Sequence, residues 1–452
     1  MPAKKTTVGQ IAPEVLAYTA GKDIQLDLQL VRADCIGSAA HVKMLARMPV
    51  KPAIITAAEC KMVLRELVKI MDSAERGKFK ITPSDQDVHL AVERTLTKAL
   101  GDVGKKVHTG RSRNDQVAVD LRLYAREQLS EIMTATVDLV DVLVKMGRKH
   151  QGVPMVGRTH MQKAMPSSVG LWSTAFAEGL LDDLALLRTA YDLNNRSPLG
   201  SAAGYGVPLP IDRAFTARTL GFSAPVHNVA YAVNARGKLE SIILSACSQV
   251  MITLSRIAQD LMLYTMPEFA YFTLPEAYGT GSSIMPNKNN PDVMELMRAK
   301  SSVVLGHAMT SANIVNGAPT GYNRDLQETK EPFLEGLSVT LSSLRILAPC
   351  LSQTEVNKEA LLSGFSPDVF ATDRAIELVG EGMPFRDAYH YVKTNLDELE
   401  TVDPVKAIRH KNHEGTTGGL DFVGYAEQTR AARKSIKSES RRVDRAIAKL
   451  FV

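Results

Sequence analysis

The stretch NDQVAVDLRLYAREQLSEIMTATVDLVDVLVKM, Asn114 to Met146, runs without a proline or a glycine. Wound at the helical period, Val117, Leu121, Tyr124, Ile132, Leu139 and Leu143 fall on one stripe, and Gly147 stands where such a helix can stop. The reading is one long amphipathic helix. Similar patterns run from Ser168 to Leu193, Gly237 to Tyr264, Asp292 to Ile314 and Pro332 to Leu351. At the usual rise each would be about 30 to 45 Å long. Several, Leu239 to Leu263 among them, are apolar on more than one face. A lone bundle leaves such faces bare, so association into a homo-oligomer is expected.

Around this centre the texture changes. Residues 1–106 carry shorter helical patterns broken at Pro49, Pro52 and Pro83, and residues 356–452 are polar, basic and interrupted by Pro367, Pro384 and Pro404. The expected fold class is therefore all-α with three domains: an N-terminal helical domain (1–106), a central long-helix bundle (107–355) and a C-terminal helical domain (356–452). A chain of 452 residues exceeds what one core usually supports, in keeping with that division. With 45% hydrophobic and 23% charged residues and no run of eighteen apolar ones, disorder and a membrane span are both disfavoured. The opening MPAKKTTVGQ is basic but leads into no apolar stretch, so no signal peptide is read and the cytoplasm is expected.

Cys35, Cys60, Cys247 and Cys350 form no C-x-x-C pair, so neither a disulfide framework nor a zinc site is indicated, and buried thiols are expected. The net charge is +5, yet RAARKSIKSESRRVDRAIAK, Arg430 to Lys449, concentrates cations. It reads either as a nucleic-acid contact or as a solvated C-terminal helix; no zinc finger or RNA-recognition signature accompanies it, which favours the second reading.

Chemistry is to be sought in the loops between the long helices. In Gly281 to Asp292, GSSIMPNKNNPD, a glycine hinge precedes paired hydroxyls, and a lysine and asparagine follow before a helix begins. Breaking a C–N bond by β-elimination requires a base for the weakly acidic proton beside a carboxylate, and cations to hold the dianion that results. Ser282 and Lys288 can supply both, provided the alkoxide is stabilised in a closed loop; read by itself, GSS before a helix is a turn and a cap. GRTHMQ, Gly157 to Gln162, gathers a threonine hydroxyl, an imidazole and an amide, although a lone histidine is more often a structural hydrogen-bonder. GDVGKKVHTGRSRNDQ, Gly101 to Gln116, brings hydroxyl, guanidinium and amide donors to the start of the first long helix, suiting a carboxylate or equally an N-cap with solvated charges. GYNRDLQETKE, Gly321 to Glu331, reads by itself as an exposed, charged helix start.

Taken together these motifs resemble the fumarase, aspartase and argininosuccinate lyase superfamily, whose signature is a Gly-Ser-Ser loop followed by Met-Pro, a lysine and Asn-Pro. HTGRSRNDQ is similar to the argininosuccinate lyase branch's form of its region. The resemblance spans about Asp34 to Arg386 and includes PLGSAAGYG at Pro198 and GMPFRDAY at Gly382. It implies Ser282 as general base, Lys288 and Asn290 as holders of the carboxylate that becomes the aci-carboxylate, and His160 as acid or polariser paired with Glu295. Thr159 would bind a carboxylate, while Ser112, Arg113 and Asn114 would hold the succinyl end. Tyr322, Gln327 and Lys330 would bind substrate, and Asp34, Ser38, Asp87 and His89 would face the amine or guanidinium portion.

It further implies a homotetramer with each site built from three subunits, a small dicarboxylate substrate, no cofactor or metal, and no nucleic-acid or membrane partner. Same-mechanism lyases for an aminopolycarboxylate, adenylosuccinate or aspartate, and a non-catalytic structural relative, are the alternatives. Three departures bear on the leaving amine: the Trp-Gly-Gly-Arg-Phe opening is missing, Arg158 stands where tyrosine is usual, and Ala235-Arg236-Gly237 replaces Asp-Arg-Asp.

Overall fold

The computed structural model describes residues 4–6, 9–400 and 402–452. Its labelled elements, short turns aside, are helices α1 (Pro13–Ala20), α2 (Val31–Leu45), α3 (Ala57–Glu75), α4 (Val88–Leu100) and α5 (Arg113–Lys149), then strands β1 (Pro154–Thr159) and β2 (Gln162–Ser168). There follow α6 (Val169–Asn194), α7 (Lys238–Tyr264), β3 (Thr280–Gly281), β4 (Asn289–Asn290), α8 (Asp292–Val315), α9 (Lys330–Gln353), α10 (Ala371–Gly380), α11 (Phe385–Thr394) and α12 (Phe422–Ala448). The five long helices expected from periodicity are α5 to α9.

Three of the five, α5 to α7, begin at a local cap. Ser112 caps α5, its Oγ accepting from the Asn114 amide at 3.2 Å while Asp115 Oδ1 accepts from the Ser112 amide at 2.9 Å. Ser168 caps α6 through the Leu171 amide at 3.1 Å. At the head of α7, Gly237 has φ +77°, and a Cβ there would lie 2.3 Å from a Val315 methyl, so only glycine fits; its N–H donates to Glu240 Oε2 at 2.6 Å.

The five close into a ring: α5 packs on α6, α6 on α7, α7 on α8, α8 on α9 and α9 on α5, with α7 also touching α9 across the middle. On α7, Ile243, Leu244, Cys247, Val250, Met251, Leu254, Ile257, Ala258 and Leu261 recur three and four apart and are almost wholly buried. Each such large side chain contributes about 1.5–3 kcal/mol through burial. One contiguous core runs from Leu30 to Leu450, taking in α2, α3 and α4 at one end of α5 and the apolar face of α12 along its flank. A separate small core of Ala375, Leu378, Ala388 and Val392 holds α10 to α11. All four cysteines are buried free thiols. Two helical segments, Lys238–Tyr264 and Arg324–Gln353, are long and apolar enough to cross a bilayer, and both lie in the bundle.

One expected loop is ordered differently. Val153 to Pro166 is largely an antiparallel hairpin in which Thr159 pairs with Gln162, leaving His160 and Met161 as the two-residue turn. Both turn residues are left-handed, at φ 52° and 63°, as a type I′ turn requires. Asn-Gly is the usual signal for that turn, and its absence made the hairpin unreadable.

Candidate active site

Consecutive ring helices alternate in direction, so the motif loops gather at two ends. At one end lie the start of α5, the end of α6, the start of α7 and the segment leading into α9: Asp115 Oδ2 accepts from the Gly200 and Ala202 amides at 2.9 and 3.0 Å, and the Arg236 guanidinium sits 5.9 Å from the Tyr322 ring. At the other end lie the β1–β2 hairpin, the start of α6, the end of α7 and the start of α8, joined by the Trp172 indole donating to Asp260 at 2.8 Å.

The first end is a dense ionic network. His89 Nδ1 is bonded to Asp34 Oδ2 at 2.6 Å and lies 3.5 Å from Asp120 Oδ2, all three side chains buried. Burial is the largest single influence and opposes ionisation of the pair, but the mutual hydrogen bond and the neighbouring charges together outweigh it, holding Asp34 below and His89 above their ordinary values. Asp120 is pushed well up by burial and by the Asp34 charge, so of the two carboxyls it holds a proton the more readily. The ligand atoms of these three come within 4.8 Å of one another, the one grouping among the described residues with metal-like spacing. Its imidazole is already committed to Asp34, and the Arg111 cation stands beside it.

Arg111 Nη1 donates to Ser38 Oγ at 3.0 Å, and Arg113 Nη1 to Asp87 Oδ2 at 2.9 Å. Thus Asp34, Ser38, Asp87, His89, Ser112, Arg113 and Asn114 do assemble around the head of α5, with Arg113 and Asp87 paired to each other. Lys330 is buried between Asp27 at 2.6 Å and Asp23 at 2.9 Å, in contrast with the exposed helix start its surroundings suggested. Gln327 donates to the Thr19 carbonyl at 2.9 Å, and Tyr322 is exposed beside Arg236.

The second end is open. The Ser282 loop is bracketed by the β3–β4 pair and by a Thr280–Asp292 hydrogen bond, and Ser282 Oγ accepts from the Met285 amide at 3.0 Å and the Ile284 amide at 3.3 Å. Lys288 and Glu295 are exposed and Asn290 is half-buried. Thr159 and His160 are exposed at the hairpin tip. Arg158 answers the question its departure raised: its guanidinium lies 5.0 Å from the Phe269 ring and donates to the Met161 carbonyl at 3.2 Å, bracing the turn that carries His160.

The two ends cannot meet within one chain. At 1.5 Å per residue α5 separates them by about 55 Å, and the eleven residue steps from its end to His160 can run back at most about 40 Å. Ser112 and His160 are therefore at least about 15 Å apart. Nor, among the described residues, does a hydrogen bond or ion pair join His160 to Glu295 or either to Ser282. Sequence reading missed Arg111, Asp115 and Asp120. The first two stand inside the quoted loop and were masked by their neighbours' capping chemistry, and Asp120 sits on the helical stripe where only burial reveals it.

A ring of five long helices with a Ser-Ser loop at one end defines an all-α lyase of the fumarase type. The family model described as Lyase matches residues 14–306. The chain is 43% identical to the argininosuccinate lyase of Sorangium cellulosum over 412 residues, 91% of this chain and 95% of that one. Its fold is similar to that of EDDS lyase in complex with formate, with TM-score 0.81 and 21% identity over 97% of this chain and 94% of that one. It is also similar to that of the class II fumarase of Schistosoma mansoni, with TM-score 0.73 and 17% identity over 91% and 99%. The chain belongs to the argininosuccinate lyase family.

Proposed function

We propose that this chain is a carbon–nitrogen lyase that converts argininosuccinate to arginine and fumarate. The observation that carries the mechanism is the pair of backbone N–H groups aimed at Ser282 Oγ from Ile284 and Met285. Such donors lower the cost of an alkoxide, which is what a serine base needs. Ser282 takes the proton from the succinyl carbon next to a carboxylate, and Lys288 and Asn290 hold the negative charge that builds on that carboxylate. The C–N bond then breaks, its electron pair leaving with the amine, which His160 or water protonates. Thr159, Ser112, Arg113 and Asn114 bind the dicarboxylate, with Asp34, Ser38, Asp87, His89, Tyr322, Gln327 and Lys330 lining or supporting the other end.

The minimum separation of Ser112 and His160 supports a homotetramer in which the open end of one copy is completed by loops of others, and there Glu295 can reach His160. Apolar side chains left on the ring surface, Leu296, Val303, Leu305 and Met309 on α8, support the same assembly. We read the three-domain division at 106 and 355 in the same spirit, the small core of α10 and α11 favouring a separate C-terminal unit. Cytoplasmic location, chemistry without a cofactor, and no nucleic-acid or membrane partner complete the reading.

The test is fumarate release, followed by ultraviolet absorbance, from purified protein given argininosuccinate, with adenylosuccinate, aspartate and a diamine disuccinate in parallel. Preference for argininosuccinate is expected. Preference for another N-succinyl compound would keep the mechanism and overturn the substrate, and silence on all four would overturn the lyase reading itself.

A further inference from the structure

A broad surface groove differs in character from the site just described. It is a groove of about 1100 Å³ between α12 and the short helix Arg213–Thr219. Along its α12 wall Arg433, Lys437, Arg441, Arg445 and Lys449 recur four residues apart, with Arg430 and Lys434 alongside; Arg218 faces them from the other wall. Residues 430–449 hold eight cations against two carboxylates, an excess of six where the whole chain carries +5. Like charges one turn apart destabilise a helix, so this spacing carries a standing cost in the free protein.

Carboxylates relieve little of it. Arg433 is paired with Asp138 and Asp141, and Arg442 with Glu439, while Lys434, Lys437, Arg441 and Arg445 are exposed with no ion pair among the described residues. The groove is nonetheless built rigidly. At the Gly221 turn, φ +71°, an added Cβ would lie only 3.3 Å from the Val443 Cα, Arg126 donates to the Leu220 carbonyl at 2.8 Å, and Lys43 donates to the Lys449 carbonyl at 2.9 Å.

Length and lining narrow the ligand. From Arg430 to Lys449 the stripe is about 28 Å long, several times the span of one phosphate. Grooves that hold single-stranded nucleic acid add aromatic platforms for bases, whereas the one aromatic here, Phe215, already has the Arg47 guanidinium 4.6 Å from its ring. We propose that this groove binds a linear chain of phosphates through its anionic oxygens alone, with inorganic polyphosphate as its simplest form.

The experiment titrates the full-length protein into a fluorescently labelled linear polyphosphate and reads anisotropy at several salt concentrations. Binding is expected at low salt, falling steeply as salt rises. The triple variant Lys434→Glu, Lys437→Glu, Arg441→Glu should lose roughly tenfold or more in affinity with a shallower salt slope, while fumarate release stays unchanged. A control triple of equal charge change, Lys61→Glu, Lys78→Glu, Lys98→Glu, should bind as the parent does. Equal loss in the control, orthophosphate competing as well as the chain does at equal phosphate, or tighter binding of an oligothymidine of equal charge would each overturn the proposal.

Discussion

Ser282 and Arg158 occupy the same open end but should fail in different ways. Ser282→Ala removes the proposed base and leaves every group that binds the dicarboxylate. The variant should fold and assemble, and its kcat should drop by several orders of magnitude with little change in substrate affinity; ordinary turnover would refute the mechanism. Arg158 touches no reacting atom in this reading. It braces a turn whose two residues are both left-handed, a strained conformation that surrounding contacts must hold. Arg158→Gln should therefore lower kcat by roughly tenfold through misplacement of His160, with the melting temperature nearly unchanged. A rise in KM with kcat intact would instead make Arg158 a substrate ligand.

The segment entering α5 carries two titrations of opposite sign. Burial, aided by the Arg111 charge, lowers His108 from 6.5 to about 4, so the ring is held neutral. Its contribution to stability is present above pH 6.5 and is lost as pH falls toward 4. Burial raises Asp115 from 3.8 to about 6 against the pull of the Ser112, Ala202 and Gly200 amides. That carboxyl favours the folded state most at low pH and loses ground as pH rises from 3.8 to 6. Relative to the parent, His108→Gln should gain stability on moving from pH 7 to pH 5, and Asp115→Asn should gain on moving the other way; urea titrations at several pH values would reveal it, and parallel curves would refute both assignments.

The same elements explain what could be read in advance. The ends of α5 to α9 lie within three residues of the ends expected from periodicity, because Ser112, Ser168 and Gly237 mark them and the apolar spacing is regular. The hairpin was illegible because its turn is His-Met, and Lys330 because its partners Asp23 and Asp27 lie some three hundred positions away in the chain. Local chemistry announces helices and caps. It does not announce which charges another segment will bury.

For the whole molecule, the telling surface is α8. Met294, Met297, Ser301, Val304, Ala308 and Ser311 are buried at alternating steps of three and four, a seam committed to the ring, while Leu296, Val303, Leu305 and Met309 face out. Placing Val303→Arg and Met309→Arg on that outer face should leave helicity intact, reduce the particle mass measured by sedimentation, and abolish turnover together with assembly. A monomer that still released fumarate at the parental rate would sink the shared site.

That separation of the two ends by the length of α5 has a kinetic corollary. An enzyme whose site is complete within each chain has the same specific activity however far it is diluted. In the proposed assembly the catalytic unit is a product of association, so activity per milligram should hold steady down to the dissociation range of the assembly and then fall faster than linearly with dilution. The working parts of this chain would then be governed by mass action between copies as much as by folding.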